Sequence, residues 1–156
     1  MDREALDAGV WRHRVSMARL AASILHSPQD VEDAVSEAVL RAYAAAGTLR
    51  DEQRLRPWLL RITARCALDI LRREKRELPC AEVERPAPPV TAQPGSLYEL
   101  LLCLPPATRR VLLLYYYEGF KAREIAGILS CPFSTVLMRL SRGRKQLENL
   151  LKEAGE

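Results

Sequence analysis

The stretch "FSTVLMRLSRGRK", Phe133 to Lys145, carries four basic residues and no acidic one, and it sets Leu137 and Met138 among them. On a helix of 100° per residue, Val136, Leu140, Gly143, Leu147 and Leu151 share one side, with Gly143 allowing a neighbour to come close. The opposite side holds Ser134, Met138, Ser141, Arg142 and Lys145, flanked by Thr135 and Leu137. Ser134 and Thr135 lie near the helix N-terminus, where hydroxyls and backbone N–H groups suit a phosphate. Arg142 and Lys145 add positive charge, and arginine can read guanine in a major groove. A solvated cationic face is the plainer reading of those two cations. Leu137 and Met138 suit either thymine methyl groups or another protein helix, and the residues alone leave both open.

A second basic element lies earlier in the chain. Between Arg54 and Arg76 there are eight basic residues against two acidic ones, Asp69 and Glu74, a local net of +6. Trp58, Arg61, Arg65, Arg72 and Arg76 fall within about 60° of a helical wheel, so this helix has a cationic edge with an aromatic near its start. Such a stripe attracts phosphates. Trp58 suits stacking on an unpaired base, but the commoner place for it is a helix-packing seam. By contrast, "QDVEDAVSE" holds Asp30, Glu32, Asp33 and Glu37 with no basic residue. DNA repels such a surface. Asp30 and Glu32 also complement the dipole of a helix N-terminus. An acidic helix beside a basic one implies a module that meets protein on one face and nucleic acid on the other.

Composition alone decides less. The net charge is +4, from 24 basic and 20 acidic residues among 156, too small to imply nucleic-acid binding without its segregation into stripes. Cys66, Cys80, Cys103 and Cys131 form no Cys-x-x-Cys pair, and His13 and His26 lie far from most of them. No metal site is expected, and each thiol is expected as a small buried or half-buried hydrophobe. Neither a signal peptide nor an apolar run near the roughly 18 residues of a membrane span is recognisable, so a reducing cytoplasm is the expected compartment. No nucleophile arrangement, metal cluster or phosphate loop is evident, and neither a cofactor nor catalysis is expected.

The elements that must position these residues are helices. Apolar positions at Leu6, Val10, Met17, Leu20, Ala21 and Ile24 predict one from about Arg3 to Leu25. Ser27 as cap and Pro28 at the first position open a second, to about Ala46, with Val31, Ala34, Val35, Ala38 and Ala42 as its buried stripe. Gly47 ends it, "TLRDEQRLR" is a polar connection, and Pro57 in a first turn opens a third through about Glu77. Leu59, Ile62, Cys66 and Ile70 form its apolar ridge, with Leu60, Ala64, Ala67 and Leu71 beside it. "LPCAEVERPAPPVTAQPG", residues 78–95, holds five of the ten prolines and reads as a linker of roughly 50 Å maximal reach. Four helices follow, about Ser96 to Cys103, Pro106 to Glu118, Lys121 to Leu129 and Phe133 to Lys152, with "VLLLYYY" taken as helical despite its β-friendly composition. Ala126, Ser130 and Val136 are spaced by four and six, as in a helix-turn-helix: a small residue at the crossing, a tight turn, and an apolar anchor. The turn position favours glycine, and Ser130 would be strained there.

These residues together resemble a bacterial sigma factor of the extracytoplasmic-function (ECF) group in the sigma-70 family. "DVEDAVSEAVLRAY" and "LRPWLLRITARCALDILRREKR" are similar to sigma domain two, and "LPPATRRVLLLYYYEGFKAREIAGILSCPFSTVLMRLSRGRKQL" is similar to sigma domain four. The resemblance implies an all-α chain of two small helical domains, 1–77 and 96–156, joined by the Pro-rich linker 78–95, the second a four-helix domain with a helix-turn-helix. It implies that Asp30, Asp33, Glu37 and Arg41 face core RNA polymerase. It implies that Trp58, Arg61, Arg65, Asp69, Arg72 and Arg73, with Arg76 on the same edge, lie on the helix that binds and melts the minus-ten element. Thr135, Leu137, Met138, Arg139, Ser141 and Arg142, with Ser134 and Lys145 beside them, match the helix that reads the minus-thirty-five element. The family commonly has Asn at the place of Arg65, and a basic and a small polar residue at the places of Leu137 and Met138. An anti-sigma factor is a further implied partner. A stand-alone helix-turn-helix regulator and a helical adaptor that binds only proteins are the alternative readings.

Overall fold

Ser27 and Pro28 start a helix in the way their chemistry dictates. The Ser27 hydroxyl accepts from the Asp30 N–H at 3.1 Å, and Pro28 occupies the first turn, where no N–H is needed. The computed structural model describes residues 1–77 and 96–154, apart from the side chains of 76, 77 and 154; the expected linker 78–95 lies outside the described residues. The chain divides into two compact units, Met1–Pro88 and Pro89–Glu156, and every regular element among the described residues is helical.

The first unit contains α1 (Arg3–Ile24), α2 (Pro28–Ala44) and α3 (Leu55–Glu77). Two short 3-10 turns, Ala46–Thr48 and Glu52–Arg54, occupy the polar connection, so α2 stops slightly before the expected Ala46. α3 begins two residues ahead of Pro57, which remains in the first turn, where the backbone has no intrahelical acceptor to lose. The core is built from Leu6, Met17, Leu20, Ala21 and Ile24 of α1, Val31, Ala34, Ala38 and Ala42 of α2, and Leu59, Leu60, Ala64, Cys66, Ala67 and Leu71 of α3. Val10, Val35, Ile62 and Ile70 are half-buried instead of fully enclosed. Three helices cover one another from two sides only, and the edge of each stripe meets solvent. The buried hydroxyls of Ser23 and Thr63 donate to the carbonyls of Leu20 and Leu59, at 2.7 and 2.8 Å. A Cβ at Gly9 would overlap the Leu55 side chain, so this glycine lets α1 cross closely over the start of α3.

The second unit contains α4 (Leu97–Leu102), α5 (Pro106–Leu112), α6 (Ala122–Leu129) and α7 (Phe133–Ala154). The "VLLLYYY" run is helical as expected, but Leu113–Tyr117 is wound as a π turn. Leu113 and Leu114 face the core while Tyr116 and Tyr117 reach solvent. Gly119, at φ +73°, then reverses the chain and allows the Phe120 N–H to bond the Leu114 carbonyl at 3.0 Å.

Arg109 is buried in this unit, a placement its sequence pattern did not announce. Its guanidinium donates to the Leu104 carbonyl at 3.1 Å and the Leu102 carbonyl at 3.5 Å, serving backbone acceptors at the end of α4. The apolar stripe of α7 is buried at Val136, Leu140, Gly143 and Leu147, whereas Leu151 is exposed, because the packing seam stops one turn before it. Cys66 is buried and Cys131 half-buried, in line with their reading as small hydrophobes. Cys103 departs from it: it caps α4 at the surface, and its thiol lies 3.6 Å from the Glu99 carbonyl.

Candidate nucleic-acid interface

α6 and α7 are joined by a tight turn around one left-handed residue, Ser130. Glu124 accepts from the Lys121 N–H at 3.0 Å to fix the start of α6. At its end Ser130 takes φ +53° and ψ +47°, and the Cys131 N–H bonds the Ala126 carbonyl at 3.1 Å. The Thr135 and Val136 N–H groups then bond the Pro132 carbonyl, which starts α7. The small residue, the tight turn and the apolar anchor thus fall at Ala126, Ser130 and Val136, as the spacing required.

Gly143 decides how α7 is held. A Cβ there would overlap Leu112 and stand 2.8 Å from the Thr108 methyl group, so α5 lies directly against the α7 backbone. This fixes the opposite face outward. Ser134, Met138, Ser141, Arg142 and Lys145 are exposed together with Leu137, while Thr135 and Arg139 are half-buried at the flanks. Arg123 stacks over the Phe133 ring at 4.5 Å, pinning a cation at the mouth of the turn.

A further cation is held beside this face by the tyrosine run. Arg144 donates from Nε to the Tyr116 hydroxyl at 3.0 Å and lies 5.2 Å from the centre of the Tyr115 ring. The Tyr116 hydrogen bond pushes the Arg144 pKa further up. Sequence reading passed over Arg144 because only the π turn brings Tyr115 and Tyr116 to it.

In the first unit, α3 exposes Arg61, Arg65, Arg72 and Arg73, with Trp58 half-buried, so the indole is neither a full core anchor nor a free platform. The Arg76 side chain lies outside the described residues. Arg72 pairs with Asp69 at 3.5 Å. On α2, Asp33, Glu37 and Arg41 are exposed and Asp30 is half-buried. Arg41 is shared between Glu37 at 3.2 Å and Asp69 at 3.7 Å, so one guanidinium ties the acidic helix to the basic one. Beneath this ion pair Cys66 is enclosed between the helices, and burial pushes its thiol pKa up, partly offset by Arg41.

Residues 10–77 match the family Sigma-70 region 2 and residues 95–147 match Sigma-70, region 4. The ECF RNA polymerase sigma factor SigM of Mycobacterium tuberculosis is 32% identical over 155 residues, covering 96% of this chain and 79% of the relative. The RNA polymerase sigma-H factor of Pseudomonas aeruginosa is 27% identical over 176 residues, covering 98% and 91%. Among solved structures, the sigma factor RpoE in complex with the anti-sigma factor NepR, from Bartonella quintana, superposes with a TM-score of 0.78 at 25% identity over 94% of this chain and 96% of that one. CnrH in complex with the cytosolic domain of CnrY gives 0.67 at 25% identity, over 97% and 90%. With both regions present in order on two all-helical units, the chain belongs to the sigma-70 family as an ECF RNA polymerase sigma factor.

Proposed function

We propose that this sigma factor divides promoter-directed initiation among three helices. The acidic face of α2, with Asp30, Asp33, Glu37 and Arg41, docks on core RNA polymerase. The basic edge of α3, with Trp58, Arg61, Arg65, Arg72, Arg73 and Arg76, engages and helps open the minus-ten element. The outer face of α7, with Ser134, Thr135, Leu137, Met138, Arg139, Ser141, Arg142 and Lys145, enters the major groove at the minus-thirty-five element. The observation that carries this reading is the α7 face: exposed hydroxyls and cations on a helix fixed by a helix-turn-helix turn.

The chain performs no reaction of its own in this scheme; binding free energy is spent on placement and strand opening, and the polymerase supplies nucleotidyl transfer. It works where polymerase works, in the cytoplasm. RpoE and CnrH are solved with NepR and with the cytosolic domain of CnrY, and on that likeness an inhibitory protein partner is proposed here as well.

Pull-down with core polymerase followed by run-off transcription on genomic fragments tests the proposal. Added protein is expected to yield initiation at a small promoter set, with Arg142→Glu and Lys145→Glu together abolishing it. Operator binding by the free protein without any association with polymerase would instead mark a stand-alone regulator. Polymerase binding unaltered by Asp33→Lys and Glu37→Lys would remove the docking face.

A further inference from the structure

Leu137 and Met138 are 47% and 44% exposed on α7, although Gly143 and α5 leave that helix no freedom to turn them inward. Their surroundings on the helix select the occupant. Ser134 lies one turn before both, Ser141 one turn after both, and Arg142 one turn after Met138. From Phe133 to Leu147 no acidic residue occurs, so the patch is apolar at its centre, short and hydroxylic around it, and cationic at its border.

That profile fits a groove floor between two phosphate walls. An α-helix with its side chains measures about 10–12 Å across, close to the roughly 12 Å width of the major groove. Serines beside the apolar pair keep the helix near the base edges, and Arg142 and Lys145 reach the walls. Among the atoms on that floor, the thymine C5-methyl is the apolar one. Resting on α7 as the groove-entering helix, we propose that Leu137 and Met138 read thymine methyl groups, so that this sigma factor specifies thymine at one or two positions of its upstream element by apolar contact. Ser134 and Ser141 position the pair by letting the backbone approach, and the cations set orientation without choosing the base.

The test uses the full chain assembled with core polymerase. A randomised duplex pool is selected for binding, and the selected duplex is remade with deoxyuridine replacing each thymidine in turn, which deletes only the methyl group. At the one or two contacted positions the wild type is expected to lose about three- to fivefold in affinity per methyl, the value of one buried methyl group. Leu137→Ala with Met138→Ala is expected to bind the thymidine duplex more weakly and to show no further loss with deoxyuridine. Equal deoxyuridine penalties in wild type and double variant, or none in either, would overturn the methyl reading, and a continuing loss on Arg142→Ala would show that α7 still binds DNA. If Arg142→Ala and Lys145→Ala also left binding unchanged, the placement of α7 in the groove itself would fall. Unchanged DNA affinity in the double variant, together with lost binding to an inhibitory protein, would assign the pair to a protein partner and end the proposal.

Discussion

Ser130 adopts the left-handed conformation without being glycine, and that costs the helix-turn-helix some stability. Ser130→Gly is expected to raise the stability of the second unit by about 0.5–1 kcal/mol, the relieved strain outweighing the added freedom of the unfolded chain. Circular dichroism melts check this. Gly143 responds in the opposite direction. Gly143→Ala puts a Cβ into Leu112 and close to the Thr108 methyl group, and is expected to destabilise by about 1–3 kcal/mol while also loosening α7 against α5. Arg41 is a different case, because its ion pairs with Glu37 and Asp69 are exposed to solvent. Such pairs contribute about 1 kcal/mol at most, so Arg41→Ala is expected to leave the melting transition almost unmoved. A loss of polymerase retention in that variant would therefore report docking and not unfolding.

At the scale of elements, the seam between α2 and α3 holds Cys66 out of water, and burial raises its thiol pKa above the ordinary 9.0. The unfolded chain gives up this proton first as pH rises. The contribution is therefore fully present below the unfolded value and is lost as pH climbs from about 9 toward the raised folded value. Urea midpoints of the first unit are expected to fall over that range, and Cys66→Ala to fall less steeply. Both tryptophans, Trp11 and Trp58, lie in the first unit, so indole fluorescence reads this seam without interference from the second. In the second unit the π turn has a comparable role for charge. It sets Tyr116 against Arg144, and Tyr116→Phe is expected to free the guanidinium and weaken promoter binding modestly, with secondary structure unchanged.

For the whole molecule, cationic faces on two separate units imply a salt-sensitive complex. Promoter affinity of the assembled holoenzyme is expected to fall steeply with salt. The slope should decrease by about one for each phosphate-contacting cation removed, with Arg61→Ala, Arg65→Ala and Lys145→Ala as the variants to compare. A slope indifferent to the first two would remove α3 from the phosphate contacts while leaving α7 in place.

Helix positions, the cap at Ser27, the break at Gly119 and the helix-turn-helix spacing were legible in the sequence, because each rests on local periodicity or on the backbone needs of one residue, whereas α2 ends at Ala44, before the Gly47 expected to stop it, which sits in a 3-10 turn. The cationic and acidic faces were legible for the same reason: side chains at helical spacing share a face wherever the helix is packed. Local pattern could not reveal that Arg109 is buried against carbonyls at the end of α4, that Arg41 joins α2 to α3 through Asp69, or that a π turn delivers Tyr116 to Arg144. Those contacts join residues on different elements or across a turn of altered pitch. Only the packing of helices against one another brings such partners within hydrogen-bonding range.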